Sequence, residues 1–86
     1  MKVVYSEKAF KQLKKLSKSV SGRIVDYMDE VAKLEDPRER GKSLVGNLIG
    51  FWRYRVGDYR ILCRIKDEEL IISVIEVGHR REVYRK

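Results

Sequence analysis

Three arginines share one face of a predicted β-hairpin and are the residues of this sequence best suited to bind an anion: Arg53, Arg55 and Arg60. Strand-like segments at 51–56 and 59–66 flank Gly57-Asp58, which predicts a two-residue turn. Since side chains alternate between the two faces of a strand, the three arginines are expected to project together. Guanidinium groups stay charged and can contact two oxygens of one phosphate, so the pattern indicates recognition of a phosphate-bearing ligand.

The predicted hairpin register places two of these arginines, Arg55 and Arg60, directly opposite each other. Like charges in that position destabilise a sheet by about 0.2–1 kcal/mol. Proteins tolerate such a local cost where a ligand supplies the opposite charge, although an ordinary solvated surface is the alternative explanation. The other face of the hairpin is apolar and is predicted to join the core: Trp52, Tyr54, Val56, Tyr59, Ile61 and Cys63.

The charge balance of the whole chain favours a polyanionic partner. Twenty Lys and Arg against thirteen Asp and Glu give 86 residues a net charge of +7 and a pI near 9.7. RNA, DNA, an acidic membrane surface and an acidic protein all fit that balance. Eight of ten lysines lie in residues 1–50, whereas seven of ten arginines lie in residues 51–86. Recognition of an anion with defined geometry is therefore expected in the second half.

Several function classes find no support in the sequence. Cys63 is the only cysteine, so no internal disulfide is expected and a reducing compartment fits. There is neither a membrane-spanning apolar run nor a signal-peptide pattern, which predicts a cytoplasmic protein without a membrane partner. Cys/His metal spacings, a glycine-rich phosphate loop and a Ser–His–Asp arrangement are also missing from the sequence, so neither a metal nor a cofactor is expected.

The first half of the chain predicts a strand and two helices. Val3–Tyr5 is a short strand, and Ser6 is positioned to cap the helix that follows, which ends near the Ser17–Ser21 cluster. A second helix begins at about Val20 and carries one apolar stripe. Asp36-Pro37 stops this helix, because proline removes a backbone donor and disfavours helix in the residue before it.

The second half predicts a three-stranded antiparallel meander. Residues 38–50 hold three glycines with little periodicity and are expected to form a loop before the hairpin. Asp67–Glu69 forms a turn after the hairpin, and Leu70–Val77 is apolar enough for an interior strand. Gly78 is expected to end that strand, which leaves a short polar tail at 79–86.

Together these elements predict an α+β fold in a single domain that spans residues 1–86. An N-terminal strand precedes two antiparallel helices, and the three-stranded meander and the short C-terminal tail follow. The helices are expected to cover one face of the sheet. The other face, which carries the arginines, is expected to stay partly open.

Several segments, in their order along the chain, resemble the RelE toxins of the RelE/ParE superfamily. Besides the early strand and the helical pair, they are Lys42-Ser43-Leu44-Val45-Gly46 ahead of the hairpin, Asp58-Tyr59-Arg60-Ile61 within it, and the tail Val77–Arg85. Each segment is short, but the resemblance covers essentially the whole chain with the family's order and spacing. It implies a RelE-like fold and a toxin that is held inactive by a cognate antitoxin encoded beside it.

The resemblance also implies an activity, that of an endoribonuclease which enters the ribosomal A site and cuts mRNA by attack of a 2′-hydroxyl on the adjacent phosphate. The expected partners are therefore the ribosome, mRNA and the antitoxin. The family's cationic hairpin positions correspond to Arg53, Arg55 and Arg60, its tail arginine to Arg80, and its tail tyrosine to Tyr84. Arg60 and Arg80 are expected to stabilise the negative charge that builds on the phosphate during attack.

Three other residues of the C-terminal tail are expected to contact RNA. Tyr84 is expected to stack on a base and so help to place the substrate for in-line attack, although a packing tyrosine is the alternative. Arg81 and Arg85 lie in the same basic tail and are expected to contact RNA.

One departure from the family concerns the general base. Well-studied relatives carry lysines at the positions of Arg53 and Arg55, and one of those lysines is the proposed base. Arginine stays protonated, so Arg55 is a poor base. His79 is the only histidine, and imidazole titrates near neutrality, so a general acid/base role is predicted for it; a plain surface residue is the alternative.

The sequence is also compatible with two other functions. A toxin of the ParE branch shares the fold and poisons DNA gyrase without cleaving RNA. A basic RNA-binding module without catalysis is the third possibility, and the loss of both lysines keeps it open. The arginines of the hairpin and the tail, together with Tyr84, favour the nuclease.

Overall fold

Five strands in one mixed sheet and two helices make up the part of the chain that the structure, a computed structural model, describes: residues 1–79. The strands are β1 (Lys2–Tyr5), β2 (Lys42–Ser43), β3 (Trp52–Val56), β4 (Tyr59–Lys66) and β5 (Ile71–His79), and the helices are α1 (Glu7–Lys14) and α2 (Lys18–Lys33). The strand order is β1-β5-β4-β3-β2. Because β1 runs parallel to β5 and the other neighbours are antiparallel, the predicted α+β arrangement is confirmed.

Both helices start at serine caps. The Ser6 hydroxyl accepts a hydrogen bond from the Ala9 N–H (3.0 Å), and the Ser17 hydroxyl accepts one from the Val20 N–H (3.2 Å). These bonds satisfy amide groups that have no partner inside the helix. The cap at Ser17 starts the second helix two residues earlier than the apolar stripe predicts. Of the described helices, none is long and apolar enough to cross a membrane.

Helix α1 covers the part of β5 that β1 does not reach. β1 ends at Tyr5. Beyond that point the Ser6 hydroxyl donates to the Ile75 carbonyl oxygen (2.8 Å), and the Gln12 side-chain oxygen accepts from the Val77 N–H (2.6 Å). Backbone groups of β5 are thereby satisfied where no strand pairs with them. The interior position predicted for this strand is confirmed, since β5 lies between β1 and β4.

The core lies between the helices and one face of the sheet, called the helix face below. Its buried members come from both helices and from β3, β4 and β5: Ala9, Leu13, Ile24, Met28, Val31, Ala32, Tyr54, Ile61, Cys63, Ile72, Val74 and Val77. Trp52, Val56 and Tyr59 pack against this cluster and are partly buried. All six hairpin residues that the sequence assigns to the core therefore lie in it or against it.

The prediction of a plain loop at 38–50 is wrong in part, because two residues inside it form β2. This short strand pairs with β3 and places Lys42 opposite Arg53. Gly41, at φ +80, passes so close to β3 that a Cβ atom would overlap the Arg53 carbonyl oxygen. A two-residue strand has no period that the sequence can show, since only its pairing with β3 defines it.

The prediction that Gly78 ends the last strand is also wrong. β5 continues through Gly78, which lies opposite Arg60, to His79, which lies opposite Tyr59. The ladder with β4 holds the backbone extended at this point, so the freedom of glycine is not used to turn the chain. His79 therefore belongs to the strand and not to the tail.

A β-bulge interrupts the pairing of β4 with β5. Leu62 lies opposite Glu76, whereas the next residue, Cys63, lies opposite Val74. Ile75 is therefore an extra residue, and it reverses which residues of β5 face the helices. Beyond the bulge, the residues of β5 on the helix face are Val77 and His79.

Candidate nucleic-acid interface

The face of the sheet turned away from the helices carries four arginines of β3 and β4 and is called the arginine face below: Arg53, Arg55, Arg60 and Arg64. Arg55 lies opposite Arg60, which is the pairing that the predicted turn requires. Directly opposite residues share a face, with Cβ atoms about 4.5–5.5 Å apart. The structure thus brings the three predicted arginines to one surface.

The centre of the arginine face is apolar. Leu62 lies between Arg60 and Arg64 along β4 and is only 4% exposed. Its neighbours on the adjacent strands are Arg53 of β3 and Glu76 of β5. Glu76 lies 3.5 Å from the Lys8 ammonium, so this carboxylate is already paired. The surface is therefore a buried leucine surrounded by four cations and one neutralised carboxylate.

Small residues line the β5 side of the arginine face. Gly78 lies opposite Arg60, and Ser73 lies opposite Arg64. Neither residue has a side chain large enough to fill the space beside a guanidinium group. Within residues 71–79, the β5 side of these two arginines is therefore lined by small residues, and the Arg60 Nε atom is itself buried.

A cleft of about 260 Å³ opens at the outer edge of β3, next to the arginine face. It is lined by Tyr27, Gly41, Lys42, Arg53 and Arg55. β2 begins at Lys42, opposite Arg53, so within residues 1–79 no strand pairs with the outer edge of β3 beyond Arg53. Tyr27 is held in place by an edge-to-face contact with Tyr54, whose ring centroid is 6.1 Å away. Three cations therefore meet at the sheet edge beside an aromatic wall.

Ion pairing distinguishes Arg53 and Arg55 from Arg38. Arg38 donates two hydrogen bonds to the Asp67 carboxylate (2.9 and 2.8 Å), and these bonds lower the pKa of Asp67. Neither Arg53 nor Arg55 forms an ion pair with any residue from 1 to 79. The charge of these two side chains is therefore available to an external anion.

Two residues of this interface were missed from the sequence: Phe51 and Arg64. The Arg64 guanidinium lies 4.4 Å from the centroid of the Phe51 ring, a cation–π contact that holds both side chains in place. Arg64 could have been found, since it continues the alternation of Arg60 and Leu62 along β4. Phe51 precedes β3 and carries no comparable signal.

Known proteins similar to this chain are toxins. Residues 3–84 match the family described as ParE toxin of type II toxin-antitoxin system, parDE. Toxin RelG of Mycobacterium tuberculosis (strain ATCC 25618 / H37Rv) is 31% identical over 85 residues, which are 98% of this chain and 95% of RelG. The chain belongs to the RelE/ParE family of type II toxins.

Solved structures show the fold of this toxin in its relatives. A chain of the toxin–antitoxin complex RelBE2 from Mycobacterium tuberculosis is 30% identical with a TM-score of 0.83, and the match covers 94% of this chain and 92% of that chain. The isolated RelE toxin of E. coli is 25% identical with a TM-score of 0.73, covering 96% and 89%. The RelE-like fold expected from the sequence is therefore confirmed.

His79 of the toxin does not lie with the arginines. Its ring is on the helix face, in edge-to-face contact with Tyr59 at 5.9 Å between centroids. Arg60 follows Tyr59 in β4 and therefore projects from the opposite face. The sheet backbone separates the imidazole from the guanidinium groups, so the predicted acid/base role gains no support from this placement.

Four predicted site residues of the toxin lie outside the described residues: Arg80, Arg81, Tyr84 and Arg85. The last described residue, His79, follows Gly78, which is the neighbour of Arg60 across the sheet. The roles of the four tail residues stay predictions.

Neither thiol nor metal chemistry finds support in residues 1–79 of the toxin. Cys63 is completely buried on the helix face, and this burial raises the pKa of its thiol. The thiolate, which is the nucleophilic form, is therefore disfavoured at neutral pH. Within residues 1–79, no group of three or more His, Cys, Asp or Glu side chains is placed to hold a metal ion.

Proposed function

We propose that this toxin is a ribosome-dependent endoribonuclease that cleaves mRNA in the A site of cytoplasmic ribosomes and is neutralised by a cognate antitoxin. The observation that carries the proposal is the pairing of Arg55 with Arg60 on the arginine face. Two guanidinium groups on adjacent strands can hold one phosphodiester between them, because each presents a planar pair of donors. The antitoxin is included because a relative that is 30% identical was solved as a toxin–antitoxin complex.

The proposed reaction needs charge stabilisation at one phosphate. The 2′-oxygen of a nucleotide attacks the adjacent phosphorus, and the bond from phosphorus to the next 5′-oxygen breaks. A cyclic phosphate and a 5′-hydroxyl result, since the 2′-hydroxyl loses a proton and the leaving oxygen gains one. Negative charge grows on the non-bridging oxygens, where Arg60 and Arg80 act. Arg55 shares this phosphate with Arg60, Arg53 holds a neighbouring phosphate in position, and Arg81 and Arg85 extend these contacts.

The proposal gives the arginines an electrostatic role and not a proton-transfer role. Arginine stays protonated, so Arg55 cannot serve as the base that a lysine is proposed to be in relatives. His79 lies on the other face of the sheet and is not included among the groups that act on the phosphate. The toxin therefore contributes positioning and charge, with Tyr84 stacking on a base.

Primer extension on translated mRNA tests the proposal. Arg60→Ala is expected to slow cleavage within codons by about 10²–10³-fold, as loss of one preorganised donor to a developing oxyanion does. His79→Gln is expected to keep the wild-type rate. Arg38→Ala is the matched control, because it removes the same charge from a residue that is paired with Asp67. Wild-type cleavage by both Arg55→Ala and Arg60→Ala would contradict the proposal.

Poisoning of DNA gyrase is the second candidate, and the match of residues 3–84 to a ParE family model favours it. Incubation of the toxin with gyrase and supercoiled plasmid distinguishes the two. Linear DNA together with intact mRNA would support poisoning of DNA gyrase as the function. Codon-specific mRNA cleavage with unbroken DNA supports the nuclease.

A further inference from the structure

At the end away from the hairpin turn, the arginine face carries a contact between an arginine and an aromatic ring. The Arg64 guanidinium lies over the Phe51 ring, 4.4 Å from the ring centroid. Trp52 pairs with Cys63, so the next step of the same ladder places Phe51 beside Arg64. Because side chains alternate between faces along a strand, both residues belong to the arginine face.

The main chain fixes the Phe51 ring in this position. The Phe51 N–H donates to the Leu48 carbonyl oxygen (3.0 Å), and the Phe51 carbonyl oxygen accepts from the Leu44 N–H (3.2 Å). The ring is partly buried. Arg64 therefore rests on a fixed surface, which reduces the conformational freedom that this long side chain loses when it binds a ligand.

The charge of Arg64 is not neutralised by a described carboxylate. Arg64 is exposed, and it forms no ion pair with any residue from 1 to 79. Its neighbour on β5 is Ser73, whose side chain is small. The Phe51 ring covers one side of the guanidinium plane and leaves the other side to a second planar group.

Arg40 shows how a stacked arginine differs when its role is structural. Its guanidinium lies 5.4 Å from the centroid of the Tyr27 ring, and it also donates to the Glu30 carboxylate (3.2 Å). That carboxylate neutralises Arg40 within the protein. Arg64 has the ring without the carboxylate, so its charge is available to a ligand.

We propose that Arg64 and Phe51 form a stacking platform for a nucleobase of the bound RNA. Guanidinium planes and aromatic rings both stack on bases, and every base has a π face whatever its identity. The base forms the third layer of the stack, on the side of the guanidinium plane that faces away from the ring. The inference rests on the proposed function in taking RNA as the ligand, but it does not require cleavage.

The platform and the arginine pair lie at opposite ends of the arginine face. Arg55 and Arg60 pair at the end near the turn, and Leu62 separates Arg60 from Arg64 along β4. Four residues of strand span about 13–14 Å. The stacked base is therefore not adjacent to the phosphate at the arginine pair but lies further along the RNA strand. Stacking there sets the register in which a phosphate reaches Arg55 and Arg60.

A phosphate at Arg64 fits these surroundings less well than a base. Arg55 and Arg60 offer a phosphate two cations, whereas the neighbours of Arg64 are a phenyl ring, a serine and the buried Leu62. Moving a charged group from water to an apolar surface costs more free energy than moving a planar, neutral one. The platform therefore favours the face of a base.

Fluorescence anisotropy with two labelled single strands tests the platform. One is a 2′-O-methyl oligoribonucleotide, which is not cut because its 2′-oxygens are blocked, and the other has the same length and charge but no bases. The wild type is expected to prefer the strand with bases. Arg64→Lys keeps the charge but removes the plane, so it should lower this preference about tenfold and bind the strand without bases normally. Phe51→Leu is expected to lower the preference in the same direction.

Arg40→Lys is the matched control, because it makes the same change at a stacked arginine that is paired with Glu30. It is expected to bind both strands as the wild type does. Arg64 is exposed, so Arg64→Lys decides the question if Phe51→Leu fails to fold in a thermal unfolding control.

Three results would overturn the platform. The first is an unchanged preference for bases in Arg64→Lys. The second is a loss of affinity for both strands in Arg64→Ala that Arg64→Lys restores, which would indicate a phosphate contact. The third is a wild-type toxin that binds both strands equally or binds neither.

Binding to strands that are not cut separates the platform from the nuclease assignment. A toxin that leaves translated mRNA intact, but whose preference for bases falls in Arg64→Lys, would contradict the proposed function alone. A toxin that cuts mRNA, but whose preference for bases is unchanged in Arg64→Lys, would contradict the platform alone.

Discussion

The two faces of this sheet are built from alternate residues of the same strands, but one face forms the core and the other presents charged side chains. On the helix face, Tyr54, Ile61 and Cys63 have no exposure to solvent and belong to the core cluster that includes residues of both helices. On the other face, the residues between them include Arg55, which is exposed, opposite Arg60. Burial of apolar area stabilises the fold on the first face, whereas the second face places like charges side by side. Neighbours in sequence therefore differ in whether they support folding or ligand binding.

Leu62 and His79 show where this division is incomplete. Leu62 is a buried apolar residue on the arginine face, and His79 is a titratable residue on the helix face. The bulge at Ile75 places His79 on the helix face, because the extra residue exchanges the faces to which the following side chains of β5 project. The face on which a residue lies is thus set by pairing between strands as well as by its position in the sequence.

The largest expected difference between the two faces is the effect of a substitution on stability. Ile61→Ala should lower the free energy of unfolding by about 2–5 kcal/mol, because it opens a cavity in the core. Arg55→Ala, on the adjacent strand but the other face, should change it by less than about 0.5 kcal/mol. Urea unfolding followed by circular dichroism measures both values. Equal decreases in the free energy of unfolding for the two variants would mean that the two faces do not differ in their contribution to folding.

Two tyrosines of the helix face provide the next contrast. The Tyr54 hydroxyl donates to the Pro37 carbonyl oxygen (2.7 Å) in a buried site, whereas the buried Tyr5 hydroxyl has no partner among the described residues. Tyr54→Phe should therefore cost about 1–3 kcal/mol, because it leaves a carbonyl unpaired. Tyr5→Phe should leave the free energy of unfolding unchanged or raise it. If urea unfolding shows that Tyr5→Phe lowers the free energy of unfolding more than Tyr54→Phe does, the two hydroxyls do not differ in hydrogen bonding in this way.

Alkaline pH should reveal the burial of Tyr5 directly. Burial raises the pKa of its hydroxyl from 10.0 to about 12. Because the folded-state pKa is the higher one, the stability contribution of Tyr5 is fully present below pH 10 and is lost as pH rises to about 12. Tyr5→Phe should therefore lose less stability than the wild type between these two values. Thermal unfolding across that range measures the difference, and parallel curves would argue against a buried Tyr5 hydroxyl.

The hairpin and its two faces could be predicted from the sequence because their determinants are local. Gly57-Asp58 fixes the turn, and the period of two in the flanking segments fixes which side chains share a face. That is why Arg53, Arg55 and Arg60 were correctly grouped on one surface.

The features that escaped prediction depend on contacts between distant segments. β2 is only two residues long and is defined by its pairing with β3. Gly78 stays extended because β4 pairs with it, and the face of His79 depends on the bulge at Ile75. No local pattern signals an extra residue in a strand, so the sequence could not separate His79 from the arginines.

The smallest expected effect on stability also tests the division between the faces most directly. Arg55→Glu places a carboxylate opposite Arg60, so it should raise the free energy of unfolding by about 0.2–1 kcal/mol at low salt. The gain should shrink at 1 M salt, where charges are screened beyond about 3 Å. Arg55→Gln should give an intermediate value, because it removes the repulsion without adding an attraction. mRNA cleavage should be lost in Arg55→Glu, because the new carboxylate repels the phosphate. A less stable Arg55→Glu protein would mean that the two side chains do not meet as the register requires.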